Sequence, residues 1–393
     1  MTIRRAARDL MSAALIAAAS LGATAGDSLS QAVPRKQEAP DKDPTVNAAR
    51  YTTGLVAGSP QSTEFAVAQD IATTLATNQE TGPHGEVALR VLPMVGNGGQ
   101  RNVLDVLTLA GADMAIVPVV LADRLRDGRT FGDIRSKIVY VAPLFPEEFH
   151  LLVGAGVKNL SDLAGKKVSL GEDGGTAAVL GLEVLNALGV KADTVNLGLD
   201  ASIDALRKGE IAGALLVSAS PIDALARATQ FAAVRLMPIP LTDALKRDYQ
   251  QAIITHTDYP AILGVEEYVP TIAVRSALFA YDWPKRSQRY QLMELFVQTF
   301  FARFPDFLAD SHHPAWRHVD LAETVPGWKR FEVADRWLAK HSNDGTVVRG
   351  TVQGATGDAV RPRSPLFPDF RRPNEDEQPT APPQAAPQGD KQP

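Results

Sequence analysis

The 393-residue sequence contains no cysteine. Disulfide staples are therefore excluded, and the chain must rely on its core for stability. An excess of positive charge is also missing. The formal net charge is −5, which leaves no basic footprint for nucleic acid. There is no Gly-x-x-x-x-Gly-Lys-Ser/Thr, no His-Glu-x-x-His and no Gly-x-Ser-x-Gly, and the dinucleotide glycine spacing is not met. Serines and acids are plentiful, yet no spacing isolates a nucleophile with its base. These absences set the expectation of a non-enzymatic protein with no catalytic residue, no metal and no cofactor. What remains is an ordinary globular balance, with 45% hydrophobic and 22% charged residues. The length suits two lobes plus tails.

The first 25 residues read as a secretory signal. Arg4, Arg5 and Arg8 form a basic start, Leu10 to Leu21 is apolar and small, and Ala23-Thr24-Ala25 fits a cleavage site. The apolar run is too short for a comfortable membrane span. Cleavage would remove three Arg and one Asp, moving the formal charge from −5 to −7. Without a cysteine to carry a lipid, the expected address is the periplasm. Residues 26–47, rich in Pro, Lys, Asp and Gln, read as a flexible leader, and the Pro-rich 341–393 as a disordered tail.

Between them, strands and helices alternate. Lys167-Val168-Ser169-Leu170 reads as a short buried strand, and Thr176 to Leu188 carries apolar residues at helical spacing. The glycine-rich turn Gly171–Gly175 joins them. Free N–H groups at a helix start and the helix dipole favour an anionic group there. An ordinary strand-to-helix turn capped near Thr176 fits the same residues.

Tyr51–Val56 is a second such strand, leading to Ser59 as a candidate N-cap with Pro60 at the first helical position. Val87, Leu89 and Val91 alternate as on a strand before the loop Val95–Gln100, and Met114–Val117 is a further strand ending at Pro118. In open α/β sheets, ligands sit outside such carboxyl ends. Ile138–Phe145 and Phe149–Val153 read as two apolar runs split by Pro146-Glu147-Glu148. Ala214–Val217, Val234–Met237 and Thr271–Arg275 read as later strands. The Trp-bearing stretch from His313 to Trp337 reads as a packing strap.

Ala142-Pro143-Leu144-Phe145-Pro146-Glu147-Glu148-Phe149-His150-Leu151-Leu152-Val153 begins an ordered series. It continues with Leu160-Ser161-Asp162-Leu163-Ala164-Gly165-Lys166-Lys167-Val168-Ser169 and Gly174-Gly175-Thr176. Gly111–Val117, Leu206–Gly213 and Val269–Val274 complete it. Together they resemble the TAXI family, the extracytoplasmic solute receptors of TRAP-type transporters, from about Tyr51 to about Trp337. The resemblance implies an α/β, two-lobed type II periplasmic-binding-protein fold, each lobe a mixed sheet flanked by helices. Crossings would fall near Glu148–Leu151 and Thr271–Val274. Lobe one would be residues 48–150 plus 274–340, and lobe two 151–273. It further implies a monomer that captures a small organic anion, a carboxylate or amino acid, and delivers it to TRAP-type membrane permease subunits. A ligand-sensing module that presents its closed form to a membrane sensor is the alternative.

By this resemblance the first family loop corresponds to Gly54 through Ser62, and the lobe-two loop to Gly174, Gly175 and Thr176. The family's usual Gly-Thr-Tyr is Ser59-Pro60-Gln61 here. Its polar residues after the third strand are Pro118-Val119-Val120, and Gly-Ser-Gly-Thr has become Gly174-Gly175-Thr176. Each departure removes polar contacts from the cleft. The candidate ligand-binding set is Gly58, Ser59, Ser62, Thr63, Asn97, Gly98, Pro118, Glu147, Gly174, Gly175, Thr176 and Ser218. Glu147 stands beside a crossing, where the reading leans to a side chain facing water. Ser220 reads as a helix cap, His150 as a packed core histidine, and His312, His313 and His318 as a surface cluster.

Overall fold

Two strands organise the molecule. The computed structural model describes residues 51–76, 89–126, 131–226, 234–342 and 345–350. The signal sequence, the leader and most of the tail lie outside these residues, as does Val87. In chain order the elements begin with β1 (Thr52–Val56), α1 (Thr63–Ala76), β2 (Arg90–Met94), α2 (Gly99–Thr108), β3 (Ala112–Pro118) and α3 (Val119–Arg126). There follow β4 (Ile138–Gly154), β5 (Lys167–Ser169), α4 (Leu182–Ala187), β6 (Asp193–Val195), α5 (Leu199–Lys208), β7 (Gly213–Ser218) and α6 (Asp223–Ala226). The chain continues with β8 (Val234–Met237), β9 (Gln250–Thr255), β10 (Tyr268–Tyr281), α7 (Gln288–Ala302) and α8 (Glu332–Lys340).

All ten strands belong to one sheet in the order β2-β1-β3-β10-β4-β7-β5-β6, with β8 added on β4 and β9 on β10. The long strands β4 and β10 run antiparallel to each other from Ile138↔Tyr281 to Glu148↔Ala273. There both change partners. Beyond Glu148, β4 pairs with β7 and β8, and before Ala273, β10 pairs with β9. The exchange takes place within one continuous sheet. One apolar cluster is confined to residues 152–269, while another reaches from Val56 through Val153 to Trp328.

Several boundaries differ from the sequence reading. Ile138–Phe145 and Phe149–Val153 form a single strand. Pro146 is accommodated because the β4–β10 register shifts beside it, between Arg275 and Ala277, where no ladder N–H is required of it. Helix α1 starts at Thr63, and its cap is Ser62, whose Oγ accepts from the Phe65 N–H at 3.2 Å. Ser59 instead accepts the Ser62 N–H through its carbonyl. The helix after the glycine turn opens with a π-type turn, Ala177–Gly181, before α4. Residues 341, 342 and 345–350, part of the stretch read as a tail, are among the described residues. Residues 348–350 lie along 319–321, with the Leu321 N–H on Val348 O and the Gly350 N–H on Val319 O.

The aromatic strap packs as a core element. Trp316 is fully buried, stacked on Phe307 with ring centroids 4.4 Å apart, and its indole N–H donates to Asp70. His312 and His313 are tied into this region, the first to Thr74 Oγ1 and the second to Pro221 O. They are structural contacts, not an open surface cluster.

Candidate ligand-binding site

Strands β1 and β2 are parallel, as are β5 and β7, and a loop leaves the carboxyl end of each. These four loops, with Leu199 of α5 and Leu216 and Val217 of β7, border an open cavity of about 110 Å³. A single water needs roughly 10–15 Å³ by a comparable measure, so the space suits a small organic molecule. Gly58, Ser59, Gln61, Ser62, Glu64, Asn97 and Gly98 line one wall. Gly171, Glu172, Gly175, Thr176, Ala177, Leu199, Leu216, Val217, Ser218 and Ile222 line the other.

The walls are bonded to each other around the cavity. The Thr63 N–H donates to Ser218 Oγ at 3.2 Å, and its hydroxyl to Ala219 O at 2.8 Å. The Gly99 N–H donates to Thr176 Oγ1 at 3.1 Å. Asn97 Nδ2 reaches Asp173 O, Gln61 Nε2 reaches Asp200, and Arg124 pairs with Glu183 through both guanidinium nitrogens. Gly98 allows this approach because its φ is +75°, and a Cβ there would stand 3.2 Å from Thr176 Oγ1.

Eight of the residues singled out in the sequence border the cavity: Gly58, Ser59, Ser62, Asn97, Gly98, Gly175, Thr176 and Ser218. Four do not. Thr63 is spent on the bridge between the walls, and Gly174 lies just outside the lining. Pro118 is buried in the β3–β10 ladder opposite Ser276. Glu147 does not face water as read from the sequence. It is 0% exposed, and its Oε1 accepts the Ser276 hydroxyl. Alternation along β4 turns it into the core, a burial that its charge alone gave no reason to expect.

Two further features were not legible. The first is the state of the main-chain donors. The Gly98 N–H is taken by Asn102 Oδ1, that of Gly99 by Thr176 Oγ1, that of Gly175 by Glu172 O and that of Thr63 by Ser218 Oγ. These four amides are engaged within the protein.

The second is Glu64. In the sequence it looks like a first-turn acid complementing the α1 dipole. In the fold it is 5% exposed and borders the cavity. Its Oε2 and the Oε2 of Glu147 receive no N–H or hydroxyl donor, and the two carboxyls meet each other. Burial raises the pKa of both. Glu147 is pushed furthest, by burial and then by the charge of Glu64, while a hydrogen bond from Glu147 lowers Glu64. Two carboxyls this close cannot both ionise cheaply. The pair therefore resists carrying two charges, and the push is strongest on Glu147.

With this geometry in hand, the profile of the NMT1-like family matches residues 55–325. The chain belongs to the NMT1-like family. Its fold is mixed α/β, one sheet flanked by helices. The chain is similar to a putative periplasmic sulfonate-binding protein SsuA from Methylobacillus flagellatus, with 11% identity over 76% of this chain and 79% of the other and a TM-score of 0.39. It is similar to the alkanesulfonate-binding protein SsuA from Xanthomonas axonopodis pv. citri bound to MOPS, with 13% identity over 74% and 91% and a TM-score of 0.39. A mutant of ArgBP from T. maritima gives 15% identity over 66% and 92% and a TM-score of 0.37. At this distance no ligand transfers to this NMT1-like chain. No curated protein matches it. Among the described residues, no helix is long and apolar enough to cross a membrane.

Proposed function

We propose that the chain is a periplasmic solute-binding receptor that holds a small polar molecule between two lobes and passes it to a membrane permease. The observation that carries this reading is the cavity at the carboxyl ends of β1, β2, β5 and β7, where open α/β sheets bind ligands. The hinge is the partner exchange at Glu148 and Ala273, with residues 48–150 plus 274–340 on one side and 151–273 on the other. The hydrogen bonds between the walls stabilise the closed form. A ligand drives closure only through its higher affinity for that form. The lining holds no His, Lys or Cys beside its serines, which supports binding without turnover.

The TRAP-type partner rests on the ordered TAXI-like elements in the sequence. The anionic ligand that the same resemblance implies has less support, because four of the donors that would grip it are engaged. Titration calorimetry against a broad panel of small polar solutes, with small-angle scattering on the same samples, tests the receptor reading. Heat of binding accompanied by compaction is expected. A folded chain that stays silent and unchanged across the panel would overturn it. Adjacent genes for a fused TRAP permease are expected; an adjacent sensor kinase in their place would reassign the partner.

A further inference from the structure

We propose that the cavity takes a small uncharged polyol, a short aliphatic chain that bears several hydroxyl groups. The proposal rests on the receptor reading and names the ligand class of the same site. It begins with what the bonds between the walls leave over. Thr176 Oγ1 accepts the Gly99 N–H and Ser218 Oγ accepts the Thr63 N–H, so each hydroxyl keeps its own proton to donate. Asn97 and Gln61 spend Nδ2 and Nε2 on Asp173 O and Asp200, so each keeps a side-chain carbonyl oxygen to accept. Among the described residues, the Ser59 hydroxyl bonds to none, and it is free to do both. All five residues border the space.

The lining matches neither sign of charge. It contains no Lys, Arg or His. Glu172 belongs to it, and Asp173 and Asp200 stand beside its polar residues, so an incoming carboxylate would meet acids with no cation to offset them. A cation finds no better grip. Glu64 borders the space, but its Oε2 is buried against Glu147, out of a ligand's reach. Glu172 is exposed, and solvent-exposed ion pairs contribute only about 0.2–1 kcal/mol. No aromatic ring lines the space, so the cage that recognises quaternary ammonium is missing.

The class follows from the pairing that remains. Thr176 and Ser218 are 7% and 6% exposed, and a buried donor without an acceptor costs stability. A carboxylate only accepts hydrogen bonds and an ammonium only donates them, so either would leave part of this mixed set unused. A hydroxyl group does both. Ser59, Gln61 and Asn97 stand on one wall, and Thr176 and Ser218 on the other. Several hydroxyls spaced along a chain can reach both walls, whereas a lone amide presents its donor and acceptor at one end. Leu199, Leu216, Val217 and Ile222 offer an apolar surface to the carbon chain, in a space of about 110 Å³.

The test is titration calorimetry on the full chain with erythritol and xylitol, against butyramide, butyrate, n-butylamine and 4-aminobutyrate. At least one polyol is expected to bind, with the other four at least about tenfold weaker. A neutral hydrogen bond is worth about 0.5–1.5 kcal/mol, so Ser59→Ala should weaken the polyol by about two- to tenfold. The Ser59 hydroxyl holds nothing in the protein, so the melting temperature of the unliganded chain should stay the same. A charged probe or butyramide that binds as tightly as the polyols would overturn the polyol class and leave the receptor reading standing. So would polyol affinity that survives Ser59→Ala, or silence from the polyols while another solute binds and compacts the chain. Silence from every solute, with no compaction in a chain that melts cooperatively, would overturn both.

Discussion

Glu147 and Glu148 are neighbours on β4, yet they sit in opposite kinds of surroundings. Alternation sends them to the two faces of the sheet, Glu147 fully buried and Glu148 mostly so. On the Glu148 face the polar groups close on themselves. The Ser220 N–H donates to Glu148 Oε2 at 2.8 Å. His150 Nδ1–H donates to the Glu148 carbonyl at 3.0 Å, and Nε2 receives the Tyr259 hydroxyl at 2.8 Å. Tyr259 in turn accepts the Ile222 N–H. On the Glu147 face, the Oε2 atoms of Glu64 and Glu147 receive no N–H or hydroxyl donor and the two carboxyls have only each other, and Glu64 borders a cavity. Burial of acids does not separate a working site from a structural one, since both faces show it. Incomplete pairing beside open space does.

The strongest way to break this contrast is to remove the centre of the closed network. His150→Ala deletes a fully buried ring, leaves a cavity and strips the Tyr259 hydroxyl of its acceptor. The expected loss is about 3 kcal/mol of stability in urea denaturation, with ligand affinity unchanged. A variant that stays as stable as the parent but cannot bind would assign the two faces the other way round.

The next largest effect is in the pH dependence of the same network. Burial raises the Glu148 pKa to about 7 and lowers that of His150 to about 4. Between pH 4.5 and about 7 the folded state holds a proton on Glu148 that the unfolded chain has lost, so stability falls as pH rises. Between about 4 and 6.5 the unfolded chain holds a proton on His150 that the folded state excludes, so stability rises with pH. Each contribution is about 3 kcal/mol over its window, and from 4.5 to 6.5 they offset. Glu148→Gln leaves the His150 slope alone. Its stability relative to the parent should therefore climb by about 3 kcal/mol from pH 4.5 to 7 in denaturation curves. Parallel curves would mean that Glu148 is not held neutral in the fold.

The same contrast shows how far the sequence could be read. The apolar runs of β1, β3 and β7 announce themselves, because strands buried on both faces need them. The loops that border the cavity follow from strand ends rich in glycine and serine. Glu64 was not legible. A first-turn glutamate looks the same whether it points to water or into a cavity, and only the crossing of β4 behind it decides which. Likewise, a sequence shows which amides a helix start offers, but not that Thr176 and Ser218 have come from elsewhere in the chain to occupy two of them. Pro146 pointed to a break in β4 because the register shift that tolerates it belongs to β10.

A third, smaller effect sharpens the contrast from the other wall. Thr176 Oγ1 accepts the Gly99 N–H across the cavity. Thr176→Val keeps the shape and removes the acceptor. In the open form, water satisfies the Gly99 N–H, so the cost falls on closure alone. A net hydrogen bond is worth about 1 kcal/mol, which corresponds to a roughly fivefold loss of ligand affinity by calorimetry, with little change in the melting temperature of the unliganded open form. An equal loss in both measurements would show that the bond supports the fold and not the closure.

The smallest effect belongs to the Arg124–Glu183 pair. Its geometry is bidentate, but its side chains are 27% and 46% exposed. Solvent screens it, and exposed pairs contribute about 0.2–1 kcal/mol. Arg124→Ala should lower ligand affinity by at most about fivefold, and the difference from the parent should shrink as salt rises from 0.1 M towards 1 M, where the screening length falls from about 10 Å to about 3 Å. An effect of Arg124→Ala on affinity that stays the same across the salt series would show that the pair holds the walls by more than its charge.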